Sequence, residues 1–266
     1  MKKKAIVSVF MVIILVACYK VPISGRRQIN MLPESTLMSM SLTSYRDFLK
    51  QNQMVPGSDP RAQMIQRVGT NISKSVTTFL KRKKNTKRIK NFKWEFNLVN
   101  DPTVNAWCMP GGKVVFYTGI LPLTNNEAGV AVVMGHEIAH AVARHGNERM
   151  SQQLLVATGG LGLAFALNEK PKETRDIFLA SYGIGSTLGV LKYSRTHESE
   201  ADKMGLVFMA MAGYNPEEAV GFWQRMAEQS KGVKPPEFIS THPSDERRIK
   251  DIKAFLPIAK KYYKPS

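Results

Sequence analysis

Two histidines and a glutamate stand in the apolar run VVMGHEIAHAVARHG, residues 132–146, with the spacing His136-Glu137-x-x-His140. Residues four apart on an α-helix lie about 40° apart around the axis and one turn along it, so both imidazoles can face a single ion. Neutral imidazole is a preferred ligand of Zn²⁺. Glu137 is rotated from His136 by about 100° and reaches past such an ion rather than to it. A bound divalent ion lowers the pKa of water towards about 7. Glu137 can then take the proton as the oxygen attacks a polarised peptide carbonyl. The flanks VAVVMG and IA describe a buried helix, in which two uncoordinated histidines would need other partners, and this favours ion binding over a pair of surface histidines.

A catalytic zinc takes three protein ligands and leaves one position open. The extended pattern H-E-x-x-H-x-x-G-x-x-H fails here, because position 143 is Ala and position 146 is Gly. His145 misses the third-histidine slot by one residue and, on a continuing helix, points about 140° away from His140. It reads as structural, or as support for a ligand. The stretch HESEAD, residues 197–202, offers Glu198 and Asp202 at i, i+4. Glu198 can ligate the ion while Asp202, one turn on, holds a ligand imidazole by its other N–H. Glu200, on the opposite face, is the alternative ligand, an exposed acidic patch is the alternative to both, and His197 has no assigned role.

The elements that must position these groups follow from periodicity. Helical spacing predicts helices near 34–51 and 61–80, the second with Ile65, Val68, Ile72, Val76 and Phe79 on one face. Phe92, Trp94, Phe96 and Leu98 alternate with polar residues as a half-buried strand does. VNAWCM, Pro110-Gly111-Gly112 and KVVFYTG then read as strand, turn and strand, completing one small antiparallel sheet. Thr124 and Glu127 form a T-x-x-E capping box that opens the helix carrying His136 and runs to about His145. Apolar stretches at 154–167 and 177–191 are core helices or else a lid or membrane-contacting hairpin. A further helix ends near Gly213, and Ser244 is placed to cap the last one.

The chain has 266 residues, 43% of them hydrophobic, and a formal charge of +17, which fits a globular domain with appendages. Seven of the positive charges fall in KRKKNTKRIK, residues 81–90, with no recognition helix or interleaved aromatics beside them. That stretch reads as a solvated loop or a site for anionic lipid or a partner, and nucleic-acid binding is the weakest reading. Lys2–Lys4 precede a twelve-residue apolar run, Ala5–Val16, shorter than the roughly 20 residues a spanning helix needs. The run ends in LVAC, which resembles the lipobox of bacterial lipoproteins. That resemblance implies a signal peptide at 1–17, a lipid on Cys18 and, with Tyr19 following, an anchor in the bacterial outer membrane facing the periplasm. Residues 19–33 read as an extended leader. Cys108 then has no partner, and within NAWCMPGG it reads as a buried strand residue.

The HEIAH segment, then YSRTHESEADKMG, then THPSDERRI together resemble the zinc metallopeptidase family of CaaX prenyl proteases, HtpX and the mitochondrial Oma-type proteases. The likeness covers about residues 60 to 255, and the leader makes it most similar to the periplasmic, Oma-like members. The resemblance implies Glu198 as third ligand. It implies that His242 lies near the metal, either stabilising the oxyanion or binding zinc to restrain activity, and that Arg248 lies near the site. It also implies that Val114, Val115, Phe116 and Tyr117 form the edge strand that aligns the substrate backbone.

These readings predict an α+β, predominantly helical, zincin-like (gluzincin) peptidase with a small antiparallel sheet. They divide the chain into a signal at 1–17, a leader and helix at 18–60 and a catalytic domain at 61–266. One zinc ion per chain and hydrolysis of misfolded or misassembled envelope proteins are expected. A chaperone or assembly factor with restrained proteolysis is the other class.

Overall fold

The computed structural model describes residues 18–157, 171–182, 184, 193–229, 236–242 and 246–265. It begins with an antiparallel hairpin of β1 (Cys18–Lys20) and β2 (Arg27–Ile29). The leader does not run free: Val21, Gln28, Asn30 and Leu32 are buried against the domain. Next come α1 (Glu34–Gln51) and α2 (Pro60–Arg82). Helix α2 starts where the Asp59 carboxylate accepts the Arg61 amide and Pro60 takes the first helical position. Its apolar stripe, Ile65 to Phe79, is buried as its period requires.

Strands β3 (Glu95–Val99), β4 (Ala106–Met109) and β5 (Lys113–Tyr117) form one sheet in the order β3-β5-β4. The sheet is mixed rather than antiparallel, since β3 runs parallel to β5. Strand β5, with Val114, Val115, Phe116 and Tyr117, is therefore central and cannot be the edge that receives a substrate. The tight β4–β5 turn is made by Gly111 and Gly112, both at positive φ (+84° and +82°), which non-glycine residues rarely adopt. That turn fixes β4 on one side of β5, and β3 takes the other. Alternation along a strand sets its faces but does not say which neighbour it gains. The outer side of β3 is met by residues 53–55, where the Val55 amide donates to the Leu98 carbonyl at 2.9 Å. Among the described residues, β4 is the outer strand on the other side, with no further strand paired to it and all four of its residues buried.

Successive residues of β4 and β5 feed two cores. Ala106, Cys108, Val114 and Phe116 face the larger one, with α2 and the two helices that bear the site. Trp107, Met109 and Val115 face a second, with Leu37 and Tyr45 of α1. Cys108 is buried, as its setting predicts, and burial pushes its thiol well above the ordinary range.

Helix α3 (Glu127–Ala143) is buried from Gly129 to its end. Its cap is not Thr124 but Asn126, whose side chain accepts the Gly129 amide at 2.8 Å. Thr124 belongs to the preceding turn, Leu121–Thr124, where its hydroxyl donates to the Leu121 carbonyl. Arg144, at φ +64°, breaks the helix and α4 (His145–Ala157) starts at once in a new direction. Then follow α5 (Pro171–Ser181), α6 (Arg195–Met211), α7 (Glu218–Gln229), α8 (Glu237–Thr241) and α9 (Glu246–Lys260). Helices α3 and α6 cross at backbone contact. A Cβ on Gly135 would lie 2.9 Å from the Gly205 carbonyl, and one on Gly205 would lie 2.9 Å from the His136 amide nitrogen. Two glycines thus allow the closest approach one residue before the first histidine.

The basic stretch ends α2 and continues through a 3-10 turn, Thr86–Ile89. Most of it is exposed, but Arg88 is buried and donates to the carbonyls of Val142 (2.8 Å) and Lys20, tying the end of α3 to β1. No helix among the described residues is long and apolar enough to cross a membrane. Most of the apolar stretches at 154–167 and 177–191, and the expected cap Ser244, lie outside the described residues.

Candidate active site

Helix α3 presents His136 and His140 from adjacent turns, with Glu137 between them. Across the glycine contact, α6 presents Glu198 from its first turn, after Ser194 caps the helix by accepting the His197 amide. His242 follows α8. One donor atom from each of His136, His140, Glu198 and His242 lies within 4.8 Å of the other three, and all four residues are buried.

The spacings are closer still where they can be read singly. His136 Nε2 is 3.0 Å from His140 Nε2 and 3.2 Å from His242 Nδ1. Glu198 places Oε1 3.1 Å from His242 Nδ1 and 3.4 Å from His140 Nε2, and Oε2 3.4 Å from His136 Nε2. Four donors arranged tetrahedrally at 2.0–2.1 Å from one ion sit about 3.3–3.4 Å apart, so this nitrogen- and oxygen-donor set has the spacing a zinc ion requires. Glu137 is not part of the set. Its Oε1 is buried without a hydrogen-bond partner among the described residues, and His242 Nε2 is 3.4 Å away.

Each histidine of α3 is held from behind, by different means. Asp202 Oδ1 accepts from His136 Nδ1 at 2.9 Å, as the i, i+4 spacing from Glu198 predicts. Arg248 grips Asp202 with two bonds of 2.8 and 2.7 Å, reaches Glu198 Oε2 at 2.6 Å, and lies 3.3 Å above the Trp223 ring. His140 Nδ1 instead meets His145 Nδ1 at 2.9 Å. His145 does not point away from His140, because the break at Arg144 folds α4 back over the end of α3. Glu200 is no ligand: it accepts from His145 Nε2 at 3.0 Å and is held by Ser24 and Arg26. His197 bonds Glu148 at 3.0 Å.

Sequence reasoning missed Tyr193, whose ring lies against His140 (centroids 3.9 Å apart) and stacks on His242 (5.0 Å). Phe238 covers the other face of His242 at 4.6 Å. Tyr193 opens the motif YSRTHESEAD, so its place was available as a signal. Trp223 lies on the buried face of α7 with Ala219, Phe222 and Met226, and Arg26 comes from a segment with no pattern of its own.

Burial and charge divide the two carboxylates. Burial pushes the Glu137 carboxyl up to about 8, with His136 opposing and Glu198 adding. Burial acts on Glu198 as well, but Arg248, His242 and the α3 imidazoles overcome it and hold that carboxyl well below its usual range. The two carboxyls are thus driven in opposite directions, Glu198 towards its anion and Glu137 towards its protonated form. Burial pulls His145 down to about 4 against the opposing Glu200.

A helix-borne histidine pair, a carboxylate from a second helix and a free glutamate beside them define a metal-dependent hydrolase. The chain belongs to Peptidase family M48, whose model matches residues 70–256. It is 34% identical over 248 residues to the mitochondrial metalloendopeptidase OMA1 of Schizosaccharomyces pombe, covering 90% of this chain and 66% of that protein. For the protein of the same name in Saccharomyces cerevisiae the identity is 32% over 261 residues, covering 93% and 71%. The beta-barrel assembly-enhancing protease of Yersinia pestis is 32% identical over 165 residues, covering 60% and 34%. The chain thus spans about two thirds of the fungal relatives and a third of the bacterial one. Relatives named mitochondrial, from fungi to mammals, contradict the expected location in the bacterial envelope at the outer membrane. That expectation stood on the charged and apolar N-terminal run, the string LVAC and the Tyr19 that follows it.

Proposed function

We propose that this chain is a zinc-dependent endopeptidase that cuts unfolded or misassembled proteins, with His136, His140 and Glu198 as metal ligands and Glu137 as general base. The observation that carries the reading is the conjunction of four donor atoms at ligand spacing with one buried carboxylate oxygen that has no hydrogen bond among the described residues. When bound there, zinc would supply a Lewis acid that acidifies water and polarises a carbonyl. Glu137 accepts the proton of the attacking water at Oε1 and passes it to the leaving amine. Asp202 keeps the His136 proton on Nδ1, which leaves Nε2 free to ligate, and Arg248 neutralises Asp202 and Glu198 in the closed interior.

The substrate backbone pairs with the outer side of β4, beside α3, rather than with β5, and because β4 is buried this requires covering residues to move. Main-chain hydrogen bonds at a sheet edge are largely indifferent to side chains, which suits cleavage of non-native segments. Cys18 is proposed as the point of lipid attachment, supported by the charged and apolar run before it. Glu137→Gln tests the central reading: zinc retained, with cleavage of unfolded casein reduced by about 10²–10⁴-fold. Casein cleavage at the wild-type rate would end it.

A second reading, restrained proteolysis with a holding or assembly role, is favoured by one observation. His242 Nδ1 stands at the fourth corner of the donor set, and Glu137 and His242 are only 3% and 2% exposed, so a peptide cannot enter without their movement. His242 is therefore proposed as a removable fourth ligand. His242→Ala is expected to raise casein cleavage, and a fall instead would assign His242 to stabilising the oxyanion.

A further inference from the structure

The support of the His140 side of the metal site ends in residues that lie far from the family motifs. Arg26 sits between β1 and β2, outside residues 70–256, and enters a buried pair of carboxylates from two different helices. Its Nη1 and Nη2 meet Glu148 of α4 at 2.7 and 2.8 Å, while Nε and Nη2 meet Glu200 of α6, both at 3.0 Å. The remaining N–H reaches the Arg27 carbonyl at 3.4 Å, so all five donors of the guanidinium are engaged. Ser24 adds its hydroxyl to Glu200.

The hydrogen bonds beyond Glu200 have one consistent direction. His140 must leave Nε2 unprotonated to ligate, so its proton is on Nδ1 and is donated to His145 Nδ1, 2.9 Å away. The His145 proton is then on Nε2, donated to Glu200 Oε2 at 3.0 Å. Glu200 cannot turn away without stripping the Arg26 fork. We infer that the N-terminal hairpin is the outer support of the metal site, with Arg26 and Ser24 fixing Glu200, Glu200 fixing His145, and His145 fixing the tautomer and orientation of His140.

This assigns positioning roles to Arg26, Glu200 and His145, and it rests on the reading of His136, His140 and Glu198 as zinc ligands. The hairpin also walls a cavity of about 360 Å³ whose lining includes Arg26, Glu198, Glu200 and Arg248, so lifting it would uncover the rear of the site.

The test is zinc affinity of the full chain, measured by competition with a chromophoric chelator, in a double-mutant cycle of Arg26→Ala and His145→Ala. Near-UV circular dichroism of each metal-free variant checks the fold. Arg26→Ala is expected to weaken zinc binding by about 10- to 100-fold. Where His145 is already alanine, the same change is expected to do little more, because the route is cut. Equal losses in both backgrounds, or unchanged affinity in Arg26→Ala, would overturn the inference. If Arg26→Ala does not fold, Arg26→Lys takes its place, since it keeps the charge but lacks the fork, and a coupled loss is again expected. A wild-type chain that binds no zinc would instead overturn the metal site itself.

Discussion

The two histidines of α3 differ less in themselves than in what stands behind them. His136 is backed by a carboxylate one turn from Glu198 on the same helix, and by an arginine of α9 stacked on Trp223. His140 is backed by another histidine, then a glutamate, then an arginine that arrives from the other end of the chain. The first support is short and charged at its first step. The second is longer, begins with a neutral imidazole and depends on a hairpin with few residues of its own. The contrast teaches that a short sequence motif can have one half held locally and the other held by distant chain, so the halves should fail in different ways.

The largest effect is expected on the His136 side. Asp202→Ala leaves the Arg248 guanidinium buried beside a lost partner and frees the His136 ring. A loss of about 3–5 kcal/mol in urea unfolding is expected, together with weakened zinc binding. Stability within about 1 kcal/mol of wild type would mean that the two sides are not held so differently. Next comes the helix crossing shared by both sides. Gly135→Ala forces a methyl towards the Gly205 carbonyl and should cost about 1–3 kcal/mol, again read by urea unfolding, with zinc affinity reduced.

A smaller, pH-dependent effect separates the His140 side. Burial raises the Glu148 carboxyl, but the hydrogen bonds from Arg26 and His197 outweigh it and hold the group at about 2. A carboxyl depressed in the folded state adds stability above its unfolded value, about 4.3, and that stability is lost as pH falls from there towards about 2. The melting temperature of metal-free protein should therefore fall across this window, and fall less steeply in Arg26→Ala. Identical slopes would show that the hairpin arginine does not carry the pairing. The smallest effect belongs to Arg247, next to Arg248 but exposed and 3.8 Å from Asp251. Arg247→Ala should change unfolding by less than about 0.5 kcal/mol, where truncating its neighbour should be severe.

What the sequence made legible was whatever helical geometry alone decides. His136, Glu137 and His140 needed only 3.6 residues per turn, and Glu198 with Asp202 needed only the i, i+4 step. His145 was misdirected because a continuous helix was assumed, while Arg144 takes a left-handed conformation and reverses its aim. Asn126 won the cap from Thr124 two residues away because both can accept an amide and only the turn before α3 decides between them. The strands were found, but the central position of β5 depends on where β3 docks, which no local pattern records. Tyr193 could have been found at the head of YSRTHESEAD, whereas Arg26 and Trp223 reach the site through tertiary packing that their own segments do not announce.

The most direct measurement pairs zinc content with turnover in the wild-type and Glu137→Gln chains, using unfolded casein as substrate. One zinc per chain in both, with cleavage confined to the wild type and abolished by a chelator, is the predicted result. Casein cleavage by Glu137→Gln at the wild-type rate, or full activity in zinc-free protein, would contradict the assignment of this cluster as a metal-dependent peptidase centre.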